Sequence, residues 1–199
     1  KLAQELKKLF LEVIIANGFD NDAIKILKAK KNLRLIDGTN YTSEELLKFV
    51  SHNQNIMIQS EDLNLFSTKN FKIVSKRKPT SKQLKDLIFA FNVCRYVKSN
   101  AIVLASNETT VGIGSGQPSR LDSCQIAINK MKKFDLQNDN LVAASDAFFP
   151  FVDGIEKLVQ SGVRAVVQPS GSLRDKEIIN FANETNTVLL FSKTRHFRH

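Results

Sequence analysis

Three short apolar runs constrain the fold most: residues 141–145 (Leu-Val-Ala-Ala-Ser), 163–168 (Val-Arg-Ala-Val-Val-Gln) and 188–191 (Val-Leu-Leu-Phe). Each has the length of a strand and lacks a polar face. Such strands must be covered on both sides, and strands joined by helices pair in parallel. The connecting segments supply the helices. One opens at Asp153-Gly154 and runs through Ile155, Leu158 and Val159; the other spans residues 175–186. Upstream, Leu84, Leu87, Ile88, Phe91, Val93, Cys94 and Val97 recur at helical spacing behind a Thr80-Ser81 cap. Residues 101–105 and 110–113 flank the turn Ser106-Asn107-Glu108-Thr109, which predicts a hairpin. A further helix is predicted over 119–134. The order helix, hairpin, helix, strand, helix, strand, helix, strand predicts an α/β fold. It is a three-layer α/β/α arrangement on a mixed, mostly parallel sheet with one antiparallel edge.

The first part of the chain reads differently. A helical start at residues 1–8 precedes an apolar run at 9–16, read as a buried strand. A helix capped by Asp20-Asn21-Asp22 and a strand at 32–36 then form a strand–helix–strand unit. Thr42-Ser43-Glu44-Glu45 looks like a cap for a short helix over 46–50. Residues 56–59 and 71–74 are weak strand-like pieces on a surface excursion. Pro79 ends the basic linker Ser75-Lys76-Arg77-Lys78 and disfavours helix at Lys78, which divides the chain into 1–78 and 79–199.

Composition excludes several classes. Only Cys94 and Cys124 are present, which leaves no disulfide framework and no Cys-x-x-Cys zinc site, and fits a reducing cytoplasm. No apolar run approaches the length that spans a membrane. The chain begins at Lys1 without an initiator Met, so it is expected to be cut from something longer. The net charge of +9 is concentrated in residues 1–98, which carry 18 Lys/Arg against 10 Asp/Glu. No RNA-recognition motif, zinc finger or GXXG clamp accompanies that charge, so no nucleic-acid partner is expected.

Four clusters can carry chemistry. Gly112-Ile113-Gly114-Ser115-Gly116-Gln117-Pro118-Ser119-Arg120 leaves a strand and enters a helix. It matches neither the dinucleotide fingerprint nor the phosphate loop, and reads equally as a ligand site or a tight turn. Ser145-Asp146-Ala147-Phe148-Phe149-Pro150-Phe151-Val152-Asp153 follows a strand. Its aromatic rings and flanking carboxylates suit a planar heterocycle with N–H donors, or else plug a core. Pro169-Ser170-Gly171-Ser172 reads as a turn and cap. The tail Arg195-His196-Phe197-Arg198-His199 follows a strand, where Arg195 can bind phosphate and His199 can titrate near neutrality. His52 reads as a surface residue. No Ser–His–acid triad is supported, and the His-x-Glu and Pro-Cys-x-x-Cys signature of the zinc deaminases is missing.

Together with Lys98-Ser99-Asn100-Ala101-Ile102, these clusters resemble one family in order and spacing, the bifunctional AICAR transformylase/IMP cyclohydrolases of purine biosynthesis. The likeness runs the whole chain, including Val13-Ile14-Ile15-Ala16 and Lys30-Lys31-Asn32-Leu33-Arg34, and covers only the C-terminal part of the transformylase domain. It implies a fold like that of the cytidine deaminases but without zinc. It divides the chain into the remainder of a first transformylase subdomain (1–78) and a second, C-terminal one (79–199). The implied reaction moves a formyl group from the co-substrate 10-formyltetrahydrofolate to the 5-amino group of AICAR, in a cytoplasmic homodimer with shared active sites.

By the same resemblance Asn100 lies at the transfer centre and His199 at its edge. Arg195 pairs with the AICAR phosphate and Phe197 packs on its ring. Phe148, Pro150, Leu121 and Asp153 line the folate pocket, with Gly114 and Gly116 shaping it through the backbone, and Ser172 contacts either ligand. Asp146 and the carbonyls near Ser99 hold a monovalent cation such as K+. Two positions depart from the pattern: Phe91 stands where many relatives have Trp, and Val152 where Arg is common. The family's catalytic Lys-His pair lies upstream and is not in this sequence. A catalytically silent fragment that binds ligand or supports dimerisation is therefore the alternative expectation.

Overall fold

A computed structural model describes residues 1–41, 47–133 and 140–199. They form two compact units, Lys1–Glu61 and Asp62–His199.

The first unit contains the expected strand–helix–strand. Helix α1 (Leu2–Lys8) precedes β1 (Val13–Ala16), α2 (Asn21–Leu27) and β2 (Arg34–Asp37). The Asp20 side chain caps α2 by accepting a 2.6 Å hydrogen bond from Ala23 N. Strands β1 and β2 pair in parallel, Val13 opposite Arg34. The apolar run at 9–16 is not a buried strand: β1 is shorter, and Val13 and Ile15 are exposed. A ladder of two strands cannot enclose both of its faces. The helix expected over 46–50 is also corrected. Strand β3 (Leu47–His52) begins there and forms an antiparallel hairpin with β4 (Asn55–Ser60). His52, exposed as expected, pairs with Asn55 across a two-residue turn in which Asn53 takes a φ of 53°. Asparagine tolerates that left-handed conformation better than most residues, so cross-strand pairing prevails over the local helical pattern. Thr42-Ser43-Glu44-Glu45, Leu46 and Phe134 lie outside the described residues.

The second unit is built on one six-stranded sheet in the order β5-β10-β9-β8-β6-β7. Its strands are β5 (Phe71–Ile73), β6 (Ile102–Ser106), β7 (Thr109–Gly114), β8 (Val142–Ser145), β9 (Ala165–Pro169) and β10 (Val188–Ser192). Four strands, β7 to β10, run in one direction; β5 and β6 run against them. The sheet is therefore mixed, but its antiparallel members are not confined to one edge, since β6 lies inside, between β8 and β7. The weak strand at 71–74 is no excursion, because β5 closes the opposite edge against β10. This pairing places residues 62–78 with the second unit, so the compact units part ahead of the 78/79 boundary read from the linker.

Alternation along the strands sends the sheet's two faces into two cores. On one face Ile102, Leu104, Val166 and Leu189 pack with α4 (Arg120–Met131), α5 (Val152–Gln160) and α6 (Asp175–Glu184). On the other Val103, Ala144, Val167 and Leu190 meet Leu87, Ala90, Phe91 and Cys94 of α3 (Ser81–Cys94). This is the three-layer α/β/α arrangement. A Thr80/Gln83 capping box starts α3. Helix α4 lies so close to β7 that a Cβ on Gly114 would stand 1.9 Å from Ser123 O.

Both cysteines are buried and unbridged. Burial pushes the Cys124 thiol up to about 12 from an ordinary value near 9.0, and pushes Cys94 up as well. Below pH 9 Cys124 is protonated folded and unfolded alike, so it adds no pH dependence. Above that the unfolded thiol ionises while the folded one does not, and stability falls until the pH passes about 12. At pH 8.5 neither thiol should react with a disulfide reagent in the native protein, and both should react once urea unfolds it. Rapid native labelling would contradict this packing.

Candidate functional site

The strand directions fix where a site can form. Strands β7, β8, β9 and β10 end at the edge of the sheet where β6 begins. The glycine run, the aromatic loop, the Pro169–Ser172 turn, the tail and Asn100 therefore all emerge on one edge. In α/β sheets this carboxyl edge is the usual location of ligand sites.

A fully buried carboxylate organises this edge. Asp146 follows β8 and has no solvent exposure. One oxygen accepts from Arg120 Nη2 at 2.8 Å, the other from Ser99 Oγ at 2.6 Å. Its backbone N–H donates to Ala101 O at 3.2 Å, and its carbonyl accepts from His196 N at 2.9 Å. One residue thus ties together the entry to β6, the start of α4, the end of β8 and the tail. Ser99 reinforces the tie: its N–H donates to Arg198 O at 2.8 Å and its Oγ accepts from Arg198 N at 3.2 Å. Hydroxyl and carboxylate oxygens are the donor types that suit a hard cation, and the Arg120 guanidinium already supplies one positive charge to the same carboxylate.

Beside this node lies a cleft of about 370 Å³. Asn100, Leu121, Pro150 and Asp153 line it, together with Arg120, Phe149 and Phe151. Four of the expected residues thus converge. The Ser99–Asn100 peptide is cis. Asn100 Nδ2 donates to Gln117 O at 2.9 Å and to Pro118 O at 3.0 Å, so its side-chain oxygen is what it has left to offer a ligand. Ser123 Oγ donates to Asn100 O at 2.8 Å. Asp153 is exposed in the first turn of α5, where the helix dipole favours a negative charge. Arg120 also donates through Nη1 to Phe148 O at 3.2 Å, and its buried Nε has no hydrogen-bond partner. The next glycine, Gly154, makes room for the wall: a Cβ there would meet the Phe149 ring at 2.6 Å.

Other expected residues lie elsewhere on the edge. Phe148 is half-buried and does not line the cleft. Neither does Gly114, which serves the α4 contact, nor Gly116, which turns the loop beneath the Lys98 side chain. Ser172 caps its own turn by accepting from Arg174 N at 3.1 Å. That turn leans on the aromatic loop through the Arg174 guanidinium, 4.8 Å from the Phe151 ring centre. In the tail, Arg195 lies over the Phe197 ring at 4.8 Å, and Phe197 stacks on His199 at 5.3 Å. The sequence reading missed Phe149, Arg120 and His196 as individual residues. The alternation of Phe and Pro after a strand signals a ring turned inward, but nothing local singles out Arg120, whose partner lies 26 positions away.

A family model described as "AICARFT/IMPCHase bienzyme" matches residues 1–130. The chain belongs to this family. It is 48% identical over 200 residues to the bifunctional purine biosynthesis protein PurH of Buchnera aphidicola subsp. Schizaphis graminum. It is 43% identical over 199 residues to the protein of the same name from Persephonella marina, and 44% identical over 197 residues to that of Aquifex aeolicus. In each case the match takes in 99% of this chain and 38% of the relative, so the chain spans well under half the length of the curated relatives it matches.

The buried node generates a prediction. Asp146→Asn keeps the shape of the side chain but leaves the Arg120 guanidinium, only 11% exposed, without its counter-charge. Removing one partner of such a pair should cost about 3–5 kcal/mol in urea unfolding. A loss below about 1 kcal/mol would show that the pair does not organise this edge.

Proposed function

We propose that this chain supplies folate- and AICAR-binding surfaces for formyl transfer from 10-formyltetrahydrofolate to the 5-amino group of AICAR, in purine biosynthesis. The observation that carries the reading is the cleft that brings Asn100, Leu121, Pro150 and Asp153 together at the carboxyl edge. The relatives' name, bifunctional purine biosynthesis protein PurH, points the same way.

The reacting amine is conjugated with the ring carboxamide and is a poor nucleophile. Transfer therefore needs positioning, removal of a proton from the amine and polarisation of the formyl oxygen. The rings of Phe149 and Phe151 and the side chain of Leu121 give a flat heterocycle an apolar bed, and the Asp153 carboxylate accepts from its N–H groups. With its NH2 engaged, Asn100 acts as an acceptor and orients an amine or carboxamide N–H. Arg120, the cleft's one cation among the described residues, sets a fixed positive charge toward charge developing on the formyl oxygen. Arg195 takes the nucleotide phosphate, Phe197 packs on its ring, and His199 stands at the edge of the site, while Ser172 contacts either ligand. A monovalent cation would be held by Asp146 and the carbonyls near Ser99, where the Arg120 guanidinium already balances the carboxylate's charge. Proton removal falls to groups outside the cleft, the family's upstream Lys-His pair above all. A second subunit would cover apolar side chains such as Phe10, Ile15 and Ile58, which are exposed in the first unit.

Two measurements test this. The chain alone should bind a reduced folate, and Asp153→Ala should weaken that binding about tenfold, or about 1.4 kcal/mol; equal affinity would remove Asp153 from the pocket. In the full-length enzyme, Asn100→Ala should lower AICAR-dependent release of tetrahydrofolate far more than it weakens AICAR binding. Unchanged turnover would sink the role given to Asn100.

A further inference from the structure

His196 differs from its neighbours in the tail. Arg195, Phe197, Arg198 and His199 are exposed, whereas His196 is 1% exposed. Its Nδ1 is paired with the Asp62 carboxylate, which is one-third exposed. Its ring sits 4.6 Å from the ring of Phe91 and 5.1 Å, edge to face, from that of Phe66. Its Nε2 is buried with no hydrogen-bond partner. Histidine is an expensive choice for an aromatic slot that a phenylalanine could fill, so the Asp62 pair must return something that packing alone does not.

The slot itself is rigidly built. Asn92 of α3 accepts from Phe66 N at 2.8 Å and donates to Phe66 O at 3.0 Å. Arg95, just past α3, donates to Asn64 O at 3.1 Å. The segment carrying Asp62 and Phe66 is thereby bolted to the helix that covers one face of the sheet. The tail above it is also held by His196 N donating to Asp146 O and by the Ser99–Arg198 pair.

We infer that His196 is a positioning residue: its buried ring and Asp62 latch the tail so that Arg195 and Phe197, on either side of it, are held ready for the nucleotide. The latch rests on geometry alone; its use for the nucleotide rests on the reading in the preceding subsection. Neither His196 nor Asp62 touches ligand in this scheme. The occupied slot orders the backbone, and the ordered backbone presents the cation–π pair of Arg195 and Phe197.

The test uses the 199-residue chain with His196→Phe, which fills the slot but cannot pair with Asp62, and Asp62→Ala, which changes a partly exposed residue and leaves the slot intact should the first variant fail to fold. Amide hydrogen exchange is read at His196 and Arg198, with β9 and β10 as internal controls, and AICAR and a reduced folate are titrated separately. Exchange at the two tail amides should accelerate at least tenfold with the sheet unchanged, and AICAR should bind at least tenfold more weakly with folate affinity unchanged. A purely structural role would move the sheet amides and both ligands together, and that result overturns the inference. So does unchanged tail exchange in the variants, or a loosened tail that binds AICAR as tightly as the parent chain. If the parent chain binds no AICAR, the functional reading fails instead, and the exchange data alone decide the latch.

Discussion

The carboxyl edge of the second unit depends on one buried ion pair. Asp146 has no exposure, and its two oxygens are taken by Arg120 and Ser99. A carboxylate stripped of water is costly unless it is paired and fully hydrogen-bonded. Here the partners come from the start of α4 and the entry to β6, and the backbone of the same residue holds the tail. The cost of burial is met by partners from separate segments, so the charge favours the arrangement that brings them together. An apolar residue of similar volume would fill the space without saying which loop lies against which.

The reversed strand β6 has the same kind of consequence. Because it runs against β7 and β8, its start rather than its end lies at the carboxyl edge. That reversal carries Ser99 to Asp146 and Asn100 into the cleft. The close seat of α4 completes the geometry. A side chain at Gly114 would collide with Ser123 O, and Ser123 in turn donates to Asn100 O. A residue that never lines the cleft thus sets the distance between its walls.

The layers were legible because strands buried on both faces lack alternation, as residues 141–145 and 188–191 do. The cap of α3 and the hairpin at 106–109 carry their geometry in neighbouring residues. The cap read at Thr80 formed, and its partner Gln83 lies only three positions on. What escaped the sequence depends on partners far along the chain. The piece at 71–74 is only weakly strand-like, and its place is set by β10, well over a hundred residues later. The segment at 47–52 carries enough helical pattern to mislead, and only the facing strand β4 decides it. In the site, residues on one loop, such as Pro150 and Asp153, could be grouped by eye. Arg120 and His196 could not, since their partners Asp146 and Asp62 lie 26 and 134 positions away.

Among the described residues that line the cleft, Arg120 and Asp153 carry the ionisable groups, and neither histidine nor lysine is present. Arg120 is committed to Asp146 through one nitrogen and to Phe148 O through another. A guanidinium held in this way is a fixed electrostatic feature, suited to meeting charge as it develops. Asn100, with both amide hydrogens committed to carbonyls, is likewise fixed. These groups are arranged to orient and to polarise. Asp153, exposed in the first turn of α5, is the one carboxylate among these lining residues, so the cleft sets a fixed cation against a single solvent-facing acid.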